Sequence, residues 1–143
     1  MQLRGHPNIN LVVAYMPQAM GYTWEQKAVV YDELNHALDA IPAQQPLFIG
    51  GDFNARLHHR PRDEQEQVGP YVYGRGEHYA NSTCEQTQAN KELFLSWAKG
   101  NTLHVANTWF HKKPSKFITY REVGTHPGHD PNDATKFAQP DFF

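Results

Sequence analysis

The sequence predicts an α/β fold. Three observations predict it: a short apolar run at residues 9–15, a helical pattern that begins after Thr23, and a second short apolar run at residues 47–50. Buried parallel strands are typically short apolar runs bounded by turn residues. The strand–helix–strand order of these segments favours α/β architecture.

The first helix has clear start and stop signals. Thr23 and Gln26 have the spacing of a capping box, in which each residue satisfies a backbone N–H of the other. Apolar residues then recur at helical spacing, at Tyr31, Leu34, Leu38 and Ile41. Pro42 follows, and it predicts the end of the helix.

The second half of the chain contains a long polar segment, a helix and short strands. Residues 55–82 have no clear period, and long loops of this kind are usually functional or mobile. A helix is predicted from Ser82, with Glu85 in the capping-box position and an apolar face formed by Leu93, Phe94 and Trp97. Strands are predicted at 103–107 and 116–121, followed by a turn-rich loop at 124–136.

Composition indicates a single globular domain without a membrane span. The 143 residues carry a formal net charge of −2, and no apolar run approaches the ~20 residues of a membrane helix. The only cysteine, Cys84, excludes an internal disulfide and fits a reducing compartment. Basic runs at 56–62 and 111–116 are the local candidates for polyanion contact, although such runs are more often solvated loops.

Residues 50–54, Gly-Gly-Asp-Phe-Asn, are the strongest candidate for a catalytic loop. They follow an apolar run, and in open α/β sheets chemistry collects beyond the carboxyl ends of such strands. If the chain stays extended, Asp52 and Asn54 leave the strand on the same side. An acid that activates water would then lie beside an amide that holds an oxyanion.

Four segments, in this order, resemble the endonuclease/exonuclease/phosphatase superfamily, whose fold is that of DNase I. They are residues 13–18 (Val-Ala-Tyr-Met-Pro-Gln), 51–54 (Gly-Asp-Phe-Asn), 107–110 (Asn-Thr-Trp-Phe) with Thr119-Tyr120, and 139–143 (Gln-Pro-Asp-Phe-Phe). The set is most similar to the apurinic-endonuclease-like branch, particularly the endonuclease domains of non-LTR (LINE-type) retrotransposons. The resemblance implies a four-layer α/β sandwich of two mixed sheets flanked by helices.

The resemblance also implies that residues 1–143 form one partial domain. The family's metal-binding Glu has no counterpart before residue 9, and the final Ser-Asp-His-type motif has none after Phe143. Gln18 stands where the apurinic branch usually has Asn, and Pro140 replaces an aliphatic residue. Proline lacks an N–H, so Pro140 fits only an edge strand or a strand start. Half of a sandwich would expose an apolar sheet face and an edge, which predicts self-association.

By resemblance, four residues carry the catalytic roles. Asp52 would orient and deprotonate water, and Asn54 would bind the scissile phosphate. Tyr15 would direct its phenol at the phosphate or the leaving group. Asp141 matches the acid that pairs with the catalytic His and assists the metal site. The alternatives are ordinary turn residues for Asp52 and Asn54, and a core tyrosine at a strand end for Tyr15.

Substrate contacts are expected from five further positions: Gln18, Asn107, Thr119, Tyr120 and Arg56. Gln18 would replace the family's phosphate-binding amide. Thr and aromatic residues are also common in strands, so a core role for Thr119 and Tyr120 stays open. For Gln18 and Arg56 the alternative is a solvated loop.

The resemblance implies Mg²⁺ as cofactor, with Mn²⁺ as a substitute and Asp141 as a ligand. It implies a DNA endonuclease that hydrolyses a phosphodiester by water attack. Because the metal-binding Glu and the catalytic His have no counterpart, residues 1–143 alone are expected to be catalytically incomplete. Only the family suggests an intracellular, nuclear setting. Two alternatives remain open: another phosphoesterase of the superfamily, acting on an inositol phosphate, a lipid or an RNA tail, and an inactive remnant that serves as an interaction module.

Overall fold

The computed structural model describes residues 2–3, 8–57, 66–73, 85–126, 128–130 and 136–143. The predicted α/β class is confirmed, since two helices and two sheets are present in these ranges. In chain order the elements are β1 (Gln2–Leu3), β2 (Ile9–Tyr15), α1 (Trp24–Asp39), β3 (Leu47–Asp52), α2 (Glu85–Gly100), β4 (Tyr120–Arg121), β5 (Phe137–Ala138) and β6 (Asp141–Phe142).

The main sheet has four strands in the order β1-β2-β3-β6. β2 and β3 are parallel, in a register that runs from Asn10 opposite Leu47 to Tyr15 opposite Asp52. α1 connects them, as the strand–helix–strand pattern predicted. β6 lies antiparallel on the other side of β3, so Asp141–Phe142 form an edge strand of the sheet as far as the chain is described. β4 and β5 form a separate two-stranded sheet.

The capping box at the start of α1 is confirmed. The Gln26 N–H donates to Thr23 Oγ1 at 3.3 Å, and the Thr23 N–H donates to Gln26 Oε1 at 2.9 Å. The helix ends at Asp39, earlier than the apolar pattern suggested. Ile41 lies in the following turn, where its N–H donates to the Leu38 carbonyl at 2.9 Å.

Both helices pack on one face of the main sheet. Phe94 of α2 lies 4.7 Å from the Phe53 ring and 5.4 Å from the Phe142 ring, measured between centroids. Trp97 of α2 reaches α1, with its ring 5.6 Å from that of Tyr31. These side chains belong to one apolar cluster. The opposite face of the sheet is open, because Val13, Tyr15, Phe48 and Phe143 are exposed there.

Two predicted strands are wrong in whole or in part. Residues 103–107 do not form a strand: Val105 makes one isolated bridge to Val68, and Ala106–Thr108 form a 3₁₀ helix. The Thr108 hydroxyl and N–H both donate to the Val105 carbonyl, at 2.6 and 3.0 Å, and this turns the chain. Of residues 116–121 only Tyr120–Arg121 are a strand, because Pro114–Lys116 form another 3₁₀ turn.

Other boundaries agree with the sequence or lie outside the described residues. β6 begins directly after Pro140, as expected for a residue without an N–H. The predicted helix start at Ser82, Cys84 and most of the 55–82 loop fall in ranges that are not described. In the described ranges, no helix has the length and apolar character needed to span a membrane.

Candidate active site

Tyr15, Asp52 and Asp141 lie in one row across three neighbouring strands. Tyr15 pairs in register with Asp52, and Asp52 pairs with Asp141. Paired residues of adjacent strands point to the same face of a sheet. The row is on the open face, since the neighbours Ala14 and Phe142 point into the core. Three of the four residues predicted as catalytic are therefore together.

Asn54 lies beside the row in a tight turn. The expectation of an extended chain from Asp52 to Asn54 is wrong, because Asn54 has a φ of 47° in the left-handed region. Asparagine tolerates this conformation, and here the Asn54 N–H donates to Asp52 Oδ1 at 2.8 Å. The Asn54 side chain turns back to β2, and its Nδ2 donates to the Met16 carbonyl at 2.8 Å. One amide hydrogen is thus used inside the protein.

Asp52 holds its proton more tightly than an ordinary aspartate. Partial burial raises the pKa of Asp52, the hydrogen bond from the Asn54 N–H opposes this, and the nearby charge of Asp141 raises it further. Burial acts because it disfavours the charged carboxylate. A raised pKa brings the carboxyl nearer to neutral pH, where a general base works best.

Asn90 is a residue that sequence reasoning missed. It is 4% exposed, and its Nδ2 donates to the Pro17 carbonyl at 3.1 Å and to the Asn54 carbonyl at 3.0 Å. It therefore ties the loop after β2 to the loop after β3. A signal was present, because Asn90 precedes Leu93, Phe94 and Trp97 at helical spacing, so it is a polar residue on an apolar helix face.

Asn107 and Thr119 are brought to the backbone of Asp141. Asn107 Nδ2 donates to the Asp141 carbonyl at 3.2 Å, and the Asp141 N–H donates to Thr119 Oγ1 at 3.4 Å. Asn107 is buried, and its Oδ1 has no hydrogen-bond partner within the described chain. Both residues thus support the strand that carries Asp141.

The remaining predicted substrate contacts lie at the margin. Gln18 is exposed in the turn after β2, and Tyr120 is exposed on β4 opposite Ala138. As far as the chain is described, neither side chain forms a hydrogen bond with the row. Arg56 is half-buried two residues after Asn54.

Two carboxylates are available for a metal ion. Mg²⁺ is commonly bound by one or two carboxylates together with substrate phosphates and water, and Asp52 and Asp141 satisfy that minimum. A larger set is not found: within the ranges described above, no group of three or more His, Cys, Asp or Glu side chains lies close enough to hold a metal. Carboxylate oxygens suit Mg²⁺ better than a softer metal.

Comparison of the chain with protein-family models, curated proteins and solved structures finds no match. The geometry itself can orient a water molecule at Asp52, and it presents the Tyr15 phenol along the same row. Any assignment of a substrate therefore depends on the site's chemistry and on the four motifs in the sequence.

Proposed function

We propose that this site hydrolyses phosphodiester bonds in DNA, as a Mg²⁺-dependent endonuclease of the apurinic/retrotransposon type. The observation that carries the proposal is the row of Tyr15, Asp52 and Asp141 across three strands, with Asn54 at its side. Cleavage of a phosphodiester by water needs a base for the water and donors for the charge on the phosphate. In this proposal Asp52 is the base, and Asn54 and Tyr15 are the donors.

Asp52 is the base in this proposal. Its pKa is raised by partial burial and by Asp141, which favours proton uptake from a bound water. The Asn54 N–H holds Asp52 Oδ1, so the carboxylate has a fixed orientation. Its second oxygen is then the atom that accepts the proton.

Asn54 and Tyr15 bind the phosphate in this proposal. Asn54 commits one amide hydrogen to the Met16 carbonyl, which fixes the side chain and leaves the other hydrogen to donate to a phosphate oxygen. Tyr15 is 68% exposed at the end of β2, so its phenol is accessible to a ligand on the open face. Asn90 is a positioning residue, since it joins the loops on either side of Asn54.

Asp141 is the residue that would hold Mg²⁺, since Asp52 is the base. When bound, the ion would supply positive charge to the non-bridging phosphate oxygens. Asn107 and Thr119 bond to the carbonyl and the N–H of Asp141, which holds the backbone that carries its carboxylate.

A DNase I-like sandwich is part of the same proposal. The helices cover one face of the main sheet, whereas Val13, Phe48 and Phe143 are exposed on the other. An apolar face of this kind is suited to pack against a second sheet. DNA as the partner and a nuclear location belong to this proposal as well.

The test is nicking of supercoiled plasmid and of an abasic oligonucleotide, with Mg²⁺, with Mn²⁺ and with a chelator. We expect Asp52→Asn to lower the nicking rate by about 10²–10⁴-fold, because the base is lost. Asp39→Asn is the matched control, since Asp39 is exposed at the end of α1. Asp141→Asn is expected to raise the Mg²⁺ concentration that gives half-maximal rate.

Further substrates separate the alternatives. Hydrolysis of inositol phosphates, sphingomyelin or poly(A) without nicking would replace DNA by another phosphoester. Binding of a short oligonucleotide can be followed by NMR through the Asn54 side-chain amide. A perturbed Asn54 amide without cleavage would point to an interaction module that retains the site but not the reaction.

A further inference from the structure

A cleft of about 560 Å³ lies between α1 and α2. Each helix contributes residues that recur at helical spacing, so two facing helix surfaces form its walls. The buried side chains of Tyr31, Leu93 and Trp97 form the floor, whereas Asp32 and Glu92 are exposed at the rim. The volume is within the range of about 300–1,000 Å³ that is usual for small-molecule sites.

Contacts across the floor hold the two walls together. Asn35 Oδ1 of α1 accepts hydrogen bonds from Trp97 Nε1 at 2.8 Å and from Asn101 Nδ2 at 3.0 Å. The Trp97 ring also lies 5.6 Å from the Tyr31 ring, between centroids. These contacts fix the Trp97 indole in one orientation. A ligand that binds here therefore does not have to order the floor, which favours its affinity.

The lining of the cleft combines aromatic rings with negative charge. Besides Tyr31 and Trp97 it includes Trp24, whose side chain is 53% exposed at the start of α1. Asp32 contributes one carboxylate from α1, and Glu92 contributes one from α2. The lining residues that the structure describes include no Lys, Arg or His. Aromatic faces and carboxylates both attract cations, so the cleft is complementary to positive charge.

We propose that this cleft binds a linear aliphatic diammonium ion, with one ammonium group at each carboxylate and the methylene chain across the aromatic floor. Asp32 and Glu92 lie on opposite walls, and this favours two separated charges over a single one. The apolar floor favours an alkyl chain between those charges, because burial of methylene groups is favourable. A hydrated metal ion lacks such a chain and keeps its waters, so it fits this lining less well.

The cleft is separate from the row of Tyr15, Asp52 and Asp141, because none of these residues lines it. Its walls consist of residues 24–35 and 92–101, on the two helices and at the end of α2. Binding of a diammonium ion is therefore a property that does not depend on the proposed nuclease function.

Cadaverine, pentylamine and pentanol test the proposal on the unmodified chain, because the three share one alkyl chain and differ in charge. Calorimetric titration at low ionic strength is expected to show cadaverine binding about fivefold more tightly than pentylamine, since its second ammonium group meets the second carboxylate. Pentanol is expected to show no measurable binding. Equal affinities of the two amines per ammonium group would overturn the proposal.

NMR of the indole N–H groups locates the bound amine. Cadaverine is expected to shift the Trp24 and Trp97 signals and to leave that of Trp109 unchanged, because Trp109 lies outside the lining. Trp24→Leu is expected to weaken cadaverine binding about threefold, because the exposed aromatic face is lost. Binding that leaves the Trp24 and Trp97 signals unchanged would place the amine elsewhere and overturn the proposed site.

Asp32→Asn and Glu92→Gln test the two carboxylates separately. Each is expected to lower the affinity for cadaverine to about that of pentylamine for the wild-type chain, because one ammonium group loses its partner. Glu33→Gln is the matched control, since Glu33 is exposed on α1 and lies outside the lining, and it is expected to change the affinity by less than about twofold. Melting temperatures verify that all three variants fold. An equal loss at Glu33 would mean that cadaverine follows net charge instead of the cleft, and it would overturn the proposal.

Discussion

Asp52 of β3 and Asp141 of β6 are register partners, so two carboxylates lie side by side on the open face of the main sheet. Their proximity raises the pKa of Asp52, in addition to the larger effect of burial. Burial and the nearby charge both disfavour the charged carboxylate of Asp52 in the folded protein. Ionisation of Asp52 therefore costs free energy in the folded protein, and a bound cation would lower that cost.

Asp52→Asn is expected to stabilise the protein at pH 7. The folded state raises the pKa of Asp52. The neutral carboxyl therefore makes its full contribution to the free energy of unfolding below about pH 3.9, which is the pKa of an aspartate in the unfolded chain. It is lost as the pH rises through the folded pKa. Asparagine keeps the acceptor for the Asn54 N–H and cannot ionise. We expect a melting temperature about 1–3 °C higher at pH 7, with the difference vanishing near pH 3.

Thermal unfolding between pH 3 and pH 7 measures this effect. If Asp52→Asn melts at a lower temperature than wild type at pH 7, the charged Asp52 carboxylate stabilises the folded protein, which would contradict this prediction.

Asn90→Ala is expected to destabilise the protein by about 2–4 kcal/mol, because the partly buried carbonyls of Pro17 and Asn54 lose their donor. The loss is also expected to free the loop after β2 from the loop after β3. Urea unfolding measures the stability, and NMR of the Asn54 amide measures the loop. Gln86→Ala, on the exposed side of the same helix, is the control with an expected change within about 0.5 kcal/mol.

Gly51 and Gly50 differ in how much space a side chain would have at each position. A Cβ at Gly51 would lie 1.8 Å from the Ala14 carbonyl oxygen, and its φ is 153°. We expect Gly51→Ala to cost about 3 kcal/mol or more, or to prevent folding, because β2 and β3 must separate. A Cβ at Gly50 would lie 3.3 Å from the side chain of Phe143 and 3.8 Å from the Phe142 carbonyl oxygen, which is ordinary van der Waals contact. Chemical denaturation of both variants is expected to show that Gly50→Ala is tolerated within about 1 kcal/mol.

The sequence predicted the parts of the fold that depend on local pattern. The run at Ile9–Tyr15 is β2 with the predicted bounds, and the Thr23 capping box begins α1. Both signals are contained within a few residues, namely apolar side chains in a short run and a reciprocal pair of hydrogen bonds. The end of β3 was less readable, because Gly51 and Asp52 continue the strand beyond its predicted end at Gly50.

The parts that failed depend on partners distant in sequence. Residues 103–107 have the composition of a strand, but the Asn107 N–H donates to the Phe143 carbonyl and Thr108 bonds back to Val105. Asn54 leaves the extended conformation, and its N–H donates to the Asp52 carboxylate. The row of Tyr15, Asp52 and Asp141 was predicted as a set of residues, while its geometry required the register of three strands.

Tyr31 is expected to control the alkaline limit of stability. Its burial beside Trp97 raises the pKa of the Tyr31 phenol well above its usual range. The neutral phenol therefore stabilises the fold fully below about pH 10, the unfolded value, and this contribution is lost as the pH rises toward the folded value.

Tyr31→Phe removes that dependence, because phenylalanine does not ionise. Relative to wild type, we expect the variant to gain roughly 1 kcal/mol between pH 10 and pH 11, whatever their difference at pH 7. Urea unfolding at each pH measures the gain, and Tyr22→Phe, at an exposed position, is expected to follow wild type. Parallel curves for wild type and Tyr31→Phe would show that Tyr31 ionises as easily in the folded chain as in the unfolded one, which its packing against Trp97 argues against.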